Sequence, residues 1–413
     1  MKHILGAGVS VAALMLTATV AFADCGAPAG SVRILSNDFN ALKVVATAAA
    51  ECASDTVTVT ANQTTEHKNI QGPALTANPA EYTVAMVANN SIVPLMNDGL
   101  IRSLDDLVAK YGQELQPNQL IKIDGKVMAI AFMGNGQHLI YRKDILEKAG
   151  VAAPQSYDDV LAAAKAIKDA GLMEYPLAAS VKPGWDLAAE FVNDYLATGA
   201  DFFEPGTATL TINNENGKKV LALMQAEIAY MDPATYLTFD ATEIQKQYEA
   251  GKVAIINEWG SIAGAILDGK DSAEGVAENT VIAGAPTFAG GTIPAAALWW
   301  DGFTIAKNIS DADAEASFVA MLHGISPDVV KANPDAATWL VKGFEPGPAA
   351  VGVIANATNG ARAYPMNPYI GLLHTALSAE LADFVAGKED ADKALADTEA
   401  AYNTAAKEAG FLK

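Results

Sequence analysis

Apolar and polar positions along the chain switch repeatedly between a period of two and a period near 3.6. Residues 31–36 (SVRILS) and 82–87 (YTVAMV) are short apolar runs, and 56–60 (TVTVT) alternates β-branched residues as a half-buried strand does. The Ala-rich stretch 41–53 between them reads as a helix, so the chain opens β-α-β. Ser103-Leu104-Asp105-Asp106 resembles a capping box for a helix reaching Tyr111, with Gly112 as its stop. Residues 123–132 and 138–141 read as strands on either side of a Gly134-Asn135-Gly136 turn. Ser156 and Asp159 cap a helix whose Val160, Leu161, Ala164 and Ile167 share one face, and Gly171 ends it.

The second half continues in the same way. Helices are expected at 185–198, 214–229 and 241–250, and strands at 253–257, 280–283 and 302–306. Further helices follow at 311–323, 327–332, 371–386 and 390–408. Such alternation predicts an α/β protein with mostly parallel sheets. The Gly/Pro-rich stretches 284–294 and 345–352 are short and flanked by apolar segments, so they read as crossings between domains. No fixed-period repeat stands out.

Length and charge narrow this picture. A chain of 413 residues is long enough for two or three domains, each with its own core. Its 48 Asp and Glu against 27 Lys and Arg give a formal charge of −21, which argues against nucleic acid or an anionic membrane surface as partner. The start, however, reads as a leader. Lys2 and His3 precede an uncharged, mostly apolar stretch 4–20, and Ala21-Phe22-Ala23 offers small residues where a signal peptidase cuts. An uncleaved anchor is the alternative, since the stretch nearly spans a bilayer. Cleavage after Ala23 leaves 390 residues with a charge of −22, a soluble protein in an extracytoplasmic compartment, the periplasm. Asp24 before Cys25 is wrong for a lipoprotein, and in an oxidising compartment Cys25 and Cys52 most simply pair, closing a loop worth about 3 kcal/mol.

The sequence offers no catalytic constellation. It holds no phosphate loop, GxGxxG after a strand, HExxH, paired CxxC or GxSxG, and no two of its five His are at metal-ligand spacing. Residues 213–217 (NNENG) and Asp311 with Asp313 resemble calcium-loop fragments but lack the full oxygen series, so no metal and no cofactor is expected. What the chain does place at strand ends is indole, amide and carboxylate. Trp259 follows Asn257-Glu258, Trp299-Trp300-Asp301 precedes a strand, and Trp185 starts a helix. Ligands of open α/β sheets sit beyond strand carboxyl ends, which adds Asn37 and Asp38, Gln63, Asn89 and Asn90, and Asn135 and Gln137 as candidates. Sugars stack C–H faces on indoles and bond their hydroxyls to Asn, Asp, Gln or Arg, so the set suits a polyhydroxylated ligand. Each residue has a plainer reading as core or cap.

The order of segments resembles the extracellular solute-binding proteins of ABC importers, specifically the carbohydrate-binding family that includes maltodextrin-binding proteins. The likeness is carried by Asp124-Gly125-Lys126, by Leu139-Ile140-Tyr141 through Gly150, and by Pro154-Gln155-Ser156-Tyr157-Asp158-Asp159. It continues in Tyr248 through Gly260, in Gly284-Ala285-Pro286, in Trp300 through Lys307 and in the helix at 314–324. The resemblance implies two α/β lobes hinged about a ligand cleft. The first would be 24–133 plus 299–348, the second 138–294 plus 349–413. It implies that Trp259 stacks on a sugar, that the regions of Asn37, Asn89, Trp185 and Tyr364–Tyr369 contact ligand, and that Arg362 and Tyr369 belong to the site. It also implies a membrane permease as partner, with the binder itself a monomer. Phe132 replaces the family's proline, Trp299-Trp300-Asp301 replaces a Gly-Gly, and Tyr369 replaces a Trp often seen late in the family's chains; these departures bear on which sugar is bound. A betaine-like solute is the nearest alternative. A secreted glycosidase is the other, with Asp186, Glu258 and Asp301 as its candidate carboxylates.

Overall fold

The computed structural model describes residues 25–413, so the leader at 1–23 lies outside the described residues. Eleven strands form two sheets. The first sheet takes β1 (Gly30–Ser36), β2 (Val57–Gln63), β3 (Val84–Ala88), β4 (Leu120–Ile123) and β5 (Lys126–Asn135), and later β10 (Trp299–Ile305) and β11 (Thr338–Trp339). Its order is β11-β5-β10-β3-β1-β2, with β4 also on β5. The second sheet takes β6 (Gln137–Arg142), β7 (Leu177–Ala178), β8 (Ile255–Trp259) and β9 (Thr280–Ala283), in the order β7-β8-β6-β9. The protein is therefore α/β with two lobes, one around each sheet.

The pairing differs from the mostly parallel expectation. Only β1–β2, β1–β3 and β7–β8 are parallel; the other six pairings are antiparallel. The opening β-α-β unit is parallel as its crossover helix requires. The antiparallel pairs come from the hairpin β4–β5, turned by Asp124 (φ 51°) and Gly125 (φ 77°), and from chain segments that pass between lobes and return against the sheet. Local helix signals fared better. Ser156 accepts from the Asp159 N–H with Asp159 bonding back, and Asn214 accepts from the Asn216 and Gly217 N–H groups, so the stretch 213–217, expected to hold no metal, is the cap of a helix.

Three segments pass between lobes. Gly136 alone separates β5 from β6, the chain returns between β9 and β10, and after β11 it reaches the helix Val351–Thr358, which packs against β6 and β9. Asn356 on that helix is fully buried. Its Nδ2 donates to the Gln137 carbonyl and its Oδ1 accepts from the Ala285 N–H, so one amide ties all three passages together. Gly352 lies against the His138 ring so closely that a Cβ there would stand 2.2 Å from Nδ1, which leaves room for no other residue.

The cores follow the sheets. Val32, Ile34, Phe303, Phe318 and Trp339 pack one face of the first sheet; Ala85, Val87, Ile92 and Met128 pack the other. The second lobe is built around the helix Trp185–Ala197, buried from Leu187 to Ala197 against Tyr157, Ile256 and Leu377. Cys25 and Cys52 are joined, tying the start of the described chain to the end of the helix Asn40–Ala50.

Candidate functional site

Three indoles from three elements meet at the boundary of the two lobes. Trp259 ends β8, Trp299 begins β10, and Trp185 opens the buried helix of the second lobe behind Gly184, whose φ of 125° lets the chain turn into it. Ring centroids lie 5.9 Å apart for Trp185–Trp259, 5.8 Å for Trp185–Trp299 and 5.8 Å for Trp259–Trp299. A second layer holds them. The Tyr364 ring stacks on Trp299 at 4.1 Å and His374 on Trp185 at 4.9 Å. Burial lowers the His374 pKa to about 4, so the ring is neutral. Its Nε2 must then donate to the Trp185 carbonyl at 3.0 Å, leaving Nδ1 to accept from the Tyr364 hydroxyl at 3.2 Å.

These indoles line a cleft of about 680 Å³ between the lobes. The first lobe contributes Asn37, Glu66, His67, Lys68, Asn135 and Asp301, with Met86 to Ala88 at the end of β3. The second contributes Lys182, Asp186, Asp240, Thr242 and Ser261 besides Trp185 and Trp259. Its volume falls within the range of small-molecule sites.

The charges are arranged. Lys182 pairs with Asp240 at 2.7 Å. The Lys68 ammonium stands 4.7 Å above the Trp185 ring and feels both Asp301 and Asp186. The crowded cleft around it lowers its pKa, while the two carboxylates act against that, and the side chain keeps an exposed flank. Burial pushes Asp301 up to about 6, with Lys68 holding it down, and burial raises Asp186 as well. The site can therefore offer both hydrogen-bond acceptors and an ammonium donor beside stacked indoles, the requirements of a hydroxyl-rich solute.

Of the residues singled out from the sequence, Trp185, Trp259, Trp299, Asp301, Asn37 and Asn135 line this cleft. The others are placed elsewhere. Trp300 packs against the Ala85 and Met128 side of the first sheet because neighbours in a strand point to opposite faces. Asn89 is buried, its Oδ1 accepting from the Trp300 N–H at 2.8 Å and its Nδ2 donating to the Tyr364 carbonyl, so it fastens the returning strand; Asn90 lies beside it in the turn after β3. Gln137 donates to Glu190 at 3.0 Å inside the second lobe, and Glu258 accepts from Ser180 at 3.1 Å, fully buried. Gln63 ends β2 outside the lining, and Asp38 pairs with Lys43. Arg362 pairs with Asp201, and Tyr369 packs on Phe203 and Phe411. Of the glycosidase carboxylates, Asp186 and Asp301 share the cleft while Glu258 does not.

Sequence reasoning passed over Lys68, Lys182, Asp240 and His374. A lysine in the first turn of a helix ordinarily faces water, and nothing in the local pattern marks Lys68 as aimed across a cleft.

Two lobes joined by three passages, with an aromatic cleft between them, define the class of hinged solute-binding proteins. Residues 38–324 match the family of bacterial extracellular solute-binding proteins, and the chain belongs to it. Its fold is similar to an ABC transporter solute-binding protein from Agrobacterium radiobacter K84 in complex with ribitol (TM-score 0.78, 18% identity, 91% of this chain and 98% of that one). It is likewise similar to one from Agrobacterium vitis S4 with bound D-mannitol (0.75, 18%, 93% and 100%). A maltose/maltodextrin-binding domain from Bdellovibrio bacteriovorus bound to maltotriose also aligns (0.73, 16%, 91% and 100%). No curated protein sequence matches the chain.

Proposed function

We propose that this protein is the solute-binding component of an ABC importer, capturing a small neutral polyol or sugar between its lobes and presenting it, closed, to a membrane permease. The observation that carries the reading is the indole cluster sharing one cleft with Asp301, Asp186 and Lys68: apolar faces for C–H groups, polar atoms for hydroxyls. The fold neighbours with ribitol and mannitol support a ligand of this class. In this reading the first lobe is 24–133 plus 299–348, and the second is 138–294 plus 349–413. The mature protein works as a monomer in the periplasm after cleavage at Ala23, and it binds its solute without turning it over.

Ligand contacts from both lobes exist only when the cleft is shut, so binding shifts the population toward the closed form that the permease recognises. A thermal-shift screen over pentitols, hexitols, monosaccharides and disaccharides tests this. A ligand at 100 times its dissociation constant adds about 2.7 kcal/mol, a clear rise in midpoint. If no sugar or polyol moves the midpoint while a betaine does, the reading fails.

A further inference from the structure

An ammonium 4.7 Å over an indole face is a cation site, and here the protein occupies it itself. Lys68 comes from the helix His67–Thr76 of the first lobe; the ring beneath it, Trp185, belongs to the second. Asp301 from the first lobe and Asp186 from the second act on the same ammonium. The other cleft lysine, Lys182, pairs with Asp240 and acts on Asp186 as well, but not on Asp301. Without Lys68, three clustered indoles beside Asp301, left with no cation acting on it, and Asp186, left to Lys182 alone, would make a favourable place for an external quaternary ammonium. With it, a second cation meets a like charge on the ring it would need and finds both carboxylates shared.

We propose that Lys68 is the specificity-determining residue of the cleft: a resident cation on Trp185 that turns away cationic solutes and reserves the aromatic cluster for neutral hydroxylated ones. This rests on the polyol or sugar reading above. It also gives the three ammonium hydrogens a second use, since they can donate to solute hydroxyls, something a quaternary ammonium cannot answer because it has no lone pair to accept with.

The test is calorimetric titration of the mature chain with choline and with tetramethylammonium, at matched ionic strength, on the unaltered protein and on Lys68→Met, Lys68→Gln and Lys68→Arg. Lys68→Met and Lys68→Gln remove the charge at nearly constant length, and either one suffices if the other fails to fold. The inference expects choline affinity to rise at least tenfold in the uncharged variants and to stay at the unaltered level in Lys68→Arg. Uncharged variants as indifferent to choline as the parent would overturn it, as would a parent that binds choline equally well. A parallel titration with neutral polyols and sugars keeps the two readings apart. Failure there sinks the proposed function, whereas the choline comparison decides the role of Lys68 alone.

Discussion

The Asn356 side chain donates to the Gln137 carbonyl at 2.6 Å while accepting from the Ala285 N–H at 2.7 Å. One buried amide thus joins the three segments on which the lobes hinge. Asn356→Ala strands a carbonyl and an N–H away from water, and each stranded group costs about 1–3 kcal/mol. Urea unfolding should show a loss of at least about 2 kcal/mol. An unchanged midpoint would mean the passages are held by other contacts.

Trp259 and Trp300 make a matched pair. Trp259→Ala removes a face of the indole cluster, and truncating a Trp in a binding cluster costs about 2 kcal/mol or more, roughly a 30-fold loss of affinity. Trp300→Ala opens a gap on the opposite side of the sheet, with a stability loss of about 3 kcal/mol and solute affinity nearly intact. Calorimetry and thermal unfolding on both variants should give these opposite profiles.

The second lobe buries Glu190, Asp194, Glu227 and Glu258 without a basic partner among the described residues. Burial raises all four, Glu190 to about 7, and their mutual repulsion adds to it for Asp194, Glu227 and Glu258. The folded state therefore holds protons that the unfolded state has already released. Stability from these groups is complete below about pH 4 and is lost as pH rises through their folded values. Buried His67, His138 and His374, each lowered to about 4, act the other way but only between pH 4 and 6.5. Above 6.5 the histidines no longer contribute and the four carboxylates outnumber the one opposing group, the lowered Lys68, so the melting temperature should fall from pH 6.5 to 8.5. Glu190→Gln should fall less steeply, and an identical slope would show that Glu190 does not titrate there.

Cys25 and Cys52 close a loop with a sequence separation of 27. Replacing both by Ala should cost about 3 kcal/mol in the chain-entropy account, read from urea unfolding. A loss confined to a few tenths would place the stabilisation elsewhere.

The particular elements explain what the sequence disclosed. TVTVT and the Ser156 cap are local signals, and they produced a strand and a helix where expected because neighbouring residues decide them. Trp259 was legible as a cleft residue because it ends a strand. Which of Trp299 and Trp300 faces the cleft depends on the register of β10 against β5 and β3, a non-local fact. Glu190 and Asp194 look like surface residues of an amphipathic helix until that helix proves to be enclosed on all sides. Lys68 is hidden for the opposite reason: it lies on the surface of its own lobe and gains its meaning from the other.

Three of the five tryptophans line the cleft, so titration of intrinsic fluorescence reads the site directly. Against a panel of pentitols, hexitols, mono- and disaccharides, the account predicts a saturable one-to-one change with at least one member, lost in Trp259→Ala. A flat response to every neutral sugar and polyol, beside a saturable response to another class of solute, would contradict it.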